Sequence, residues 1–376
     1  MTELQTQGLR LSRPEQRHMS RRGGAGPSDH QAVTIDNVTV MVPIYSESVW
    51  ESPFSVQSTP EGEHIVKHGH ASEQLIPLTD ISFAGQPQFY KGATTEGVPY
   101  SHIATLHSKD VLATTVLQTC IRYESRRKAC KFCSIGQSLR AGRTIAEKTP
   151  AQLAEVAKAA VELDGVRQMI LTTGTPATPD RGAKVLAESA RAIKAAVDIP
   201  IQAQCEPPKD PAWYAVMKEA GVDSLGMHLE VLDQSLREQI MPGKSEITLD
   251  EYLSAFKLAA PVFGRGQLST YIIAGLGDTA EYILEVSERL IDIGVYPFVV
   301  PFVPIRGTPL EDHKAPSATF MESILKPLGA RLYASGMTSN TAKAGCSKCG
   351  ACSTLAHYEQ AAAEDATSGT CLEHAL

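Results

Sequence analysis

Six of the eight cysteines fall into two short groups, and these are the residues best suited to bind a metal. Three thiolates can hold a 4Fe-4S cluster and leave one of its four irons open to a substrate or cofactor. The first group lies in the basic stretch TCIRYESRRKACKFCSIG, and its members are Cys120, Cys130 and Cys133. Nine residues separate the first two cysteines, which is long enough for the loop to fold back onto one centre. The first group is therefore a candidate metal site.

The second group, Cys346, Cys349 and Cys352, has the CxxCxxC spacing of ferredoxin-like sites. It predicts an auxiliary iron-sulfur cluster with an electron-transfer or substrate-binding role. A zinc ion with a fourth ligand such as Cys371 or His357 is the alternative, and free thiols are a third interpretation. For the first group the alternatives are a structural zinc site and a thioredoxin-like redox pair, although the third cysteine argues against the pair.

The composition disfavours several classes of function. Lysine and arginine number 35 against 42 aspartate and glutamate, a formal charge of −7, and the basic residues form no dense block, so nucleic acid is not an expected partner. No apolar run reaches the roughly 18 residues that span a membrane, and the N-terminus lacks the apolar centre of a signal peptide. We therefore expect a cytoplasmic protein. In that reducing compartment, clustered cysteines indicate metal or redox chemistry.

The elements that would position these cysteines follow from the pattern after residue 112. Apolar, β-branched runs such as VRQMILTTG alternate with amphipathic helical runs in six repeats. This alternation predicts an α/β fold with a parallel sheet and right-handed crossovers, either closed like a barrel or open. Chemistry in such folds lies at the carboxyl ends of the strands. The residues there are the Cys120 loop after the first strand, then Thr173-Gly174-Thr175, Glu206, Glu230, Gly275 and Arg306.

We expect four segments along the chain. Residues 1–31 are polar and predict a mobile arm or lid, and residues 32–112 predict a β-rich extension. Residues 113–310 contain the six repeats. Residues 311–376 predict a C-terminal helix followed by a cysteine-rich, loosely held tail.

The end of the first cysteine loop resembles a known motif. Cys130-Lys131-Phe132-Cys133 is similar to the latter part of the CxxxCxΦC motif of radical S-adenosylmethionine (SAM) enzymes, although the first gap is nine residues here instead of three. That superfamily has a partial (β/α)6 barrel with the cluster loop directly after strand 1, in agreement with the repeats. The resemblance covers about residues 112–310. The whole chain, including RRGGAGPSDH and CSKCGAC, resembles a bacterial group of radical SAM proteins encoded beside nitrilases.

The resemblance implies an enzyme with a 4Fe-4S cluster and SAM as cofactors. The reduced cluster would donate an electron to SAM, the carbon-sulfur bond would break, and a 5'-deoxyadenosyl radical would abstract hydrogen from a small-molecule biosynthetic substrate. An electron donor such as flavodoxin or ferredoxin is the implied partner. Sulfur insertion, with the second cluster as the sulfur donor, and a non-catalytic zinc-stabilised binding protein are the alternatives.

The resemblance also assigns candidate roles to individual residues. Phe132 and the Gly275 region would lie near the adenine, and Thr173, Gly174 and Thr175 would meet the amino group of SAM. Glu206 and Glu230 would contact the ribose hydroxyls or the methionine part, and Arg237 would suit the carboxylate because a guanidinium makes bidentate bonds. Independently of the resemblance, Lys244 and Arg265 are candidates for contact with an anionic substrate, and His228 is interpreted as a packed histidine rather than a ligand.

Overall fold

The N-terminal part of the chain forms a five-stranded antiparallel sheet. The computed structural model describes residues 1–11, 28–69, 75–125 and 127–373. Helix α1 (Thr2–Gln7) precedes β1 (His30–Ile35), β2 (Val38–Pro43), β3 (Phe54–Thr59), β4 (Gly62–His68) and β5 (Leu75–Phe83), which pair in the order β2-β1-β5-β4-β3. A 3-10 helix, Glu47–Glu51, lies between β2 and β3.

Part of the expected mobile arm belongs to this sheet's core. Leu4, Leu9 and Leu11 are buried and pack in the same apolar cluster as Val33 and Val42 of the sheet. Burial of three leucines holds the first eleven residues in place. Of the expected arm, residues 12–27 lie outside the described part of the chain.

A second sheet of seven strands carries the six repeats. A 3-10 helix, Gln88–Lys91, and α2 (Tyr100–Ile103) lead into it. Its strands are β6 (Thr105–His107), β7 (Val111–Thr115), β8 (Gln168–Thr172), β9 (Ile201–Gln204), β10 (Ser224–Gly226), β11 (Leu268–Ala274) and β12 (Val295–Pro301), in sequential order. Strand β6 is antiparallel to β7, and the strands from β7 to β12 are parallel. The predicted partial (β/α)6 barrel is confirmed.

The helices follow the strands as the amphipathic runs predicted. They are α3 (Ile121–Glu124), α4 (Ile135–Arg140), α5 (Pro150–Asp164), α6 (Ala183–Ala196), α7 (Ala212–Glu219), α8 (Gln234–Ile240), α9 (Leu249–Phe263), α10 (Ala280–Ile293), α11 (Ala318–Ala334), α12 (Cys346–Cys349) and α13 (Leu355–Glu373). Capping boxes formed with Thr149 and Thr248 begin α5 and α9, and the hydroxyl of Thr279 caps α10. No helix in the described ranges is both long enough and apolar enough to cross a bilayer.

Successive side chains along the strands point alternately to the outer helices and to the inside of the curved sheet. Leu112, Met169 and Leu171 point to the outer helices and belong to the main apolar core. Their neighbours one position away, such as Ala113 and Thr172, line a cavity on the inner side of the curved sheet. The period of two therefore places small and polar residues inside and the apolar core outside.

The C-terminal tail is held in place, contrary to the expectation from its polar composition. Helix α13 packs along α11, and Glu359 of α13 is buried. Its carboxylate accepts hydrogen bonds from the Tyr296 hydroxyl at 2.5 Å and from the backbone N–H of Ser339 at 2.9 Å. A polar tail can dock in this way when its buried groups find partners.

Candidate active site

A cavity of about 410 Å³ lies inside the curved sheet. At the carboxyl ends of the parallel strands it is lined by all three cysteines of the first group, Cys120, Cys130 and Cys133. The same cavity is lined by most of the other residues predicted from the sequence, namely Phe132, Thr173, Gly174, Thr175, Glu206, Glu230, His228 and Lys244. The expectation that the strand ends converge on one site therefore agrees with their placement.

The cysteine loop is anchored on both sides. Cys120 is the N-cap residue of α3, directly after β7, and Cys133 lies two residues before α4. Between them, the Lys131 N–H donates to the carbonyl of Ile240 at 2.8 Å, which ties the loop to α8. The backbone N–H of Cys133 donates to the carbonyl of Cys130 at 3.1 Å, a turn that brings these two thiols to the same side.

The donor set of this loop fits a 4Fe-4S cluster. Each cysteine of such a cluster binds its own iron, so three cysteines on one cavity wall suffice and one iron stays open. No three His, Cys, Asp or Glu side chains of the described residues converge on a single ion, an arrangement that a cluster does not require. Burial raises the pKa of Cys133 to about 12, which favours the thiol unless a cation lies beside it.

The Thr173-Gly174-Thr175 segment lies directly against the first cysteine. The N–H of Gly174 donates to the carbonyl of Leu117 at 2.8 Å, and the N–H of Ile121 donates to the carbonyl of Thr175 at 3.0 Å. A methyl group on Gly174 would overlap the Thr119 carbonyl. Glycine is therefore required at residue 174 for the end of β8 to approach the cysteine loop.

Glu206 is part of a buried ion pair that the sequence did not indicate. Arg122 of α3 donates from Nε to Glu206 Oε1 at 2.7 Å and from an Nη atom to Oε2 at 2.9 Å. The guanidinium also contacts the Gly243 carbonyl and lies 3.4 Å from Glu246. Bidentate pairing fixes both side chains on the cavity wall.

Glu230 forms a second ion pair on the cavity wall. Its Oε2 accepts from Nζ of Lys244 at 2.8 Å. The backbone of Glu230 has a φ of 65°, which is uncommon for residues other than glycine. Two hydrogen bonds to β11 hold it there, from its N–H to the Tyr271 carbonyl at 2.7 Å and from the Ile273 N–H to its carbonyl at 2.8 Å. Backbone strain of this kind persists only where the surrounding structure holds the residue in place, as these two bonds do here.

Four residues predicted from the sequence do not line the cavity. One of them is Arg306, whose carbonyl accepts from Gln137 Nε2 at 2.9 Å. Arg237 is fully buried. Its guanidinium donates hydrogen bonds to the carbonyls of Leu229, Val231 and Ile247 and so stabilises the chain that follows β10. Gly275 packs under Pro316, outside the cavity lining. Arg265 donates to the carbonyl of Ile291 at 3.1 Å and is likewise distant from the site. Arg237 and Arg265 therefore hydrogen-bond to backbone carbonyls, and the glycine allows close packing.

His228 packs against a neighbouring ring, as interpreted from the sequence, and it also faces the cavity. It lines the cavity, and its Nδ1 is buried without a hydrogen-bond partner among the described residues. Its ring lies edge-on to Tyr271 at 5.5 Å between centroids. Burial lowers the pKa of His228 to about 3, so the imidazole is neutral and can accept or donate one bond.

The central part of the chain matches the model of a known family. Residues 126–290 match the model of the radical SAM superfamily. The chain contains a radical SAM domain. The matched range includes Cys130, Phe132 and Cys133 and begins after Cys120. The sequence-based predictions of a radical SAM enzyme and of its barrel are confirmed at the level of this domain.

Individual relatives align over parts of the chain. The bacteriochlorophyllide c C-7(1)-hydroxylase of Chlorobaculum limnaeum is 25% identical over 250 residues, which are 61% of this chain. Among solved structures, a radical SAM methyltransferase from Sphaerobacter thermophilus is 15% identical with a TM-score of 0.46, over 74% of this chain and 75% of that one. Methylornithine synthase is 19% identical with a TM-score of 0.44, over 57% and 61%. The chain spans 61% of the hydroxylase's length, and the hydroxylation is that enzyme's own activity.

The second cysteine group lies inside the barrel of the radical SAM domain. Cys346 and Cys352 line the same cavity as the first group. Cys346 and Cys349 pack against Val111, Ala113 and Ile170 on the inner face of β7 and β8. Because these positions include the amino ends of the strands, the second group lies below the first group, at the opposite end of the barrel interior.

Buried glutamines, which no sequence motif singled out, hold this segment in the barrel. Gln168 Oε1 accepts from the Gly345 N–H at 2.7 Å, and Gln202 Oε1 accepts from the Cys346 N–H at 3.2 Å. Gln204 Nε2 donates to the Cys346 sulfur at 3.2 Å. Polar residues at alternate positions of apolar runs, as in IPIQAQ, were the available signal.

Proposed function

We propose that this chain is a radical SAM enzyme that cleaves SAM reductively and removes hydrogen from a small-molecule biosynthetic substrate. The observation that carries the proposal is that Cys120, Cys130 and Cys133 line one cavity together with Glu206 and Glu230. A 4Fe-4S cluster on these cysteines, with SAM on its open iron, supplies electron transfer to SAM and a radical that abstracts hydrogen.

The residues of the cavity wall would bind and orient SAM. Thr173, Gly174 and Thr175 lie beside the Cys120 loop, and we assign them to the amino group. Glu206 and Glu230 are assigned to the ribose hydroxyls and the methionine part, since a carboxylate that already accepts from one cation keeps lone pairs for further donors. Arg122 takes the place of Arg237 as the guanidinium of the site. Phe132, which packs with Val231, Leu276 and Phe302 around this wall, is assigned to the adenine.

The substrate would bind between the two cysteine groups, in the middle of the cavity. His228 and Tyr271 line this part, and the unpaired Nδ1 of His228 would bond to a polar group of the substrate. We expect His228→Ala to reduce substrate conversion more than cleavage of SAM, because the residue contacts the substrate and not SAM. Equal loss of both activities would contradict this assignment.

The second group would hold a second metal centre, for which an iron-sulfur cluster is preferred and zinc is the alternative. Its position on the shared cavity also supports sulfur insertion as a second candidate function, in which the second cluster is consumed. That candidate predicts fewer than about one turnover per chain unless the cluster is rebuilt. Multiple turnovers with intact iron and sulfide contents would exclude it.

We also propose flavodoxin or ferredoxin as the electron donor and a cytoplasmic location. Membership of the nitrilase-associated group is proposed on the presence of the KACKFCSIG and CSKCGAC segments in one chain.

The first experiment measures iron, acid-labile sulfide and zinc in protein reconstituted without oxygen. The parent is compared with the variant that carries Cys120→Ala, Cys130→Ala and Cys133→Ala. Cys205→Ala is the matched control, because Cys205 lines the cavity but belongs to neither group. We expect the triple variant to lose about four irons and all reductive cleavage of SAM, and the control to keep both.

Two results would contradict the proposal. Zinc in place of iron in the parent would leave the zinc-stabilised binding protein as the function. Iron that stays unchanged in the triple variant would remove the first group from the cluster.

A further inference from the structure

A histidine at the edge of the main sheet lies beside the second cysteine group. His107 ends β6, is 8% exposed and lines the shared cavity. Its Nε2 lies 3.5 Å from the sulfur of Cys352. Two ligands of one tetrahedral metal atom lie about 3.5 Å apart when the metal-sulfur bond is about 2.3 Å and the metal-nitrogen bond about 2.0 Å. The observed separation fits two ligands on one metal atom as well as a hydrogen bond between the thiol and the imidazole.

The hairpin that carries His107 is docked on the cysteine segment by independent contacts. His107 pairs across the hairpin with Val111, which packs against Cys346 and Cys349. The hydroxyl of Ser108, the next residue, hydrogen-bonds to Cys349. Ser108 has a φ of 57°, an uncommon conformation for serine that sets the direction of the turn after His107. Neighbouring residues of one turn thus contact two of the three cysteines.

We propose that Cys346, Cys349, Cys352 and Nε2 of His107 form a Cys3His metal centre at the lower end of the cavity. This inference deepens the second metal centre proposed above and rests on it. His107 replaces the fourth ligands considered from the sequence. His357 is exposed on α13, where its ring lies against Tyr358, and the side chain of Cys371 lies outside the described residues.

The distance between His107 and Cys352 also bears on which type of metal centre the four ligands can hold. In a 4Fe-4S cluster each iron takes one protein ligand, so no two ligands share a metal atom. A two-iron cluster, in which each iron takes two protein ligands, places ligands in pairs on one atom. A zinc ion would need all four ligands around one atom, and no three His, Cys, Asp or Glu side chains of the described residues converge on a single ion. Histidine replaces cysteine on one iron of known two-iron clusters. The Cys3His donor set is therefore assigned to a two-iron cluster, and the metal analysis tests this assignment.

The test uses the full-length chain, reconstituted without oxygen, with His107→Ala, His107→Cys and the control His357→Ala. Metal content, absorption spectrum and rate of metal loss to a chelator are measured for each. To isolate the second centre, the same substitutions are made in the variant that lacks Cys120, Cys130 and Cys133. Far-ultraviolet circular dichroism checks that each variant is folded.

We expect His107→Ala to lose the second metal at least about 10- to 100-fold faster, the range that even indirect supporting residues cause. His107→Cys should retain the metal with a changed spectrum, because a thiolate replaces an imidazole, and His357→Ala should match the parent. We expect about two irons in the isolated centre, and zinc there would overturn the two-iron assignment.

A second metal that is bound equally well, with the same spectrum, by the parent and by His107→Ala would overturn the role of His107. A parent that binds no metal at the second group would instead overturn the second centre itself. The two failures are therefore distinguishable.

Discussion

Replacing Gly345 with alanine should detach the second cysteine group from the barrel wall. Gly345 precedes α12 with φ 101° and ψ −165°, a conformation almost restricted to glycine. Strain of this kind costs about 1–3 kcal/mol for another residue. A methyl group there would also overlap the side-chain amide of Gln202.

The loss of stability in Gly345→Ala has a second source, the hydrogen bonds of the Gln202 side-chain amide. Its Oε1 accepts from Gln204 at 2.6 Å and from the Cys346 N–H at 3.2 Å, and its Nε2 donates to Ser269 at 3.0 Å. Displacing it leaves buried polar groups unpaired, at about 1–3 kcal/mol. Together with the backbone strain, we expect Gly345→Ala to lower the free energy of unfolding by about 4 kcal/mol.

Gly350→Ala is the matched control in the same segment. Gly350 has a φ of 69°, but the nearest atom to a new methyl group would be Ala356 Cβ at 3.7 Å. Only the strain of a left-handed residue remains, about 1–2 kcal/mol. The assay is urea unfolding of the metal-free proteins, with the rate of thiol modification as a second readout. Equal losses of stability in both variants, with equally slow thiol modification, would refute the idea that a methyl group at residue 345 displaces the Gln202 side chain.

Three further predictions concern the cavity wall and the C-terminal helix. Arg122→Gln and Glu206→Gln should each lower the free energy of unfolding by about 3–5 kcal/mol, and the double variant by less than the sum, because each single change leaves a buried charge. Gly174→Ala should reduce the iron content with little change in helix content, because the methyl group displaces the cysteine loop. Burial raises the pKa of Glu359 above its ordinary 4.5, so the folded state binds this proton more tightly than the unfolded state. The free energy of unfolding should then fall as the pH rises from 4.5 through the raised pKa, and Glu359→Gln should lack this decrease.

Each of these predictions has a measurement that contradicts it. Additive losses in urea unfolding for Arg122 and Glu206 would mean that the pair is not coupled. Gly85→Ala, at a glycine with open space around it and no positive φ, is the control for Gly174→Ala, and equal iron contents in both would contradict the close approach. Parallel pH profiles of stability for the parent and Glu359→Gln would show that Glu359 titrates normally.

Much of the fold was predictable because its signals are local. Runs of β-branched residues and amphipathic helices with caps such as Thr149 and Thr248 define the repeats within short windows. Residues at strand ends, among them Thr173, Glu206 and Glu230, also followed from the repeats, because parallel strands end at the same edge. Arg237 was misassigned since position on a helix does not reveal which buried carbonyls a guanidinium must satisfy.

The long-range contacts were not predictable in the same way. Arg122 and Glu206 are distant in sequence, and a basic residue in a loop of several basic residues carries no sign of its partner. Cys346 lies 144 residues after Gln202 in the sequence, so the location of the second cysteine group inside the sheet follows only from the assembled fold.

The location of the second group also gives a reason for the N-terminal sheet. The carbonyl of Ala351, between Cys349 and Cys352, accepts from the backbone N–H of Met41 in β2 at 2.7 Å and from Nε2 of Gln5 at 3.0 Å. Glutamines of the barrel hold the same segment from the other side. The segment that carries the cysteines therefore lies between two sheets, which are built from different parts of the chain and both bond to it. A metal centre needs ligands held in fixed geometry, and residues from both ends of the chain provide that support here. We conclude that the N-terminal sheet and the first eleven residues position the second cysteine group.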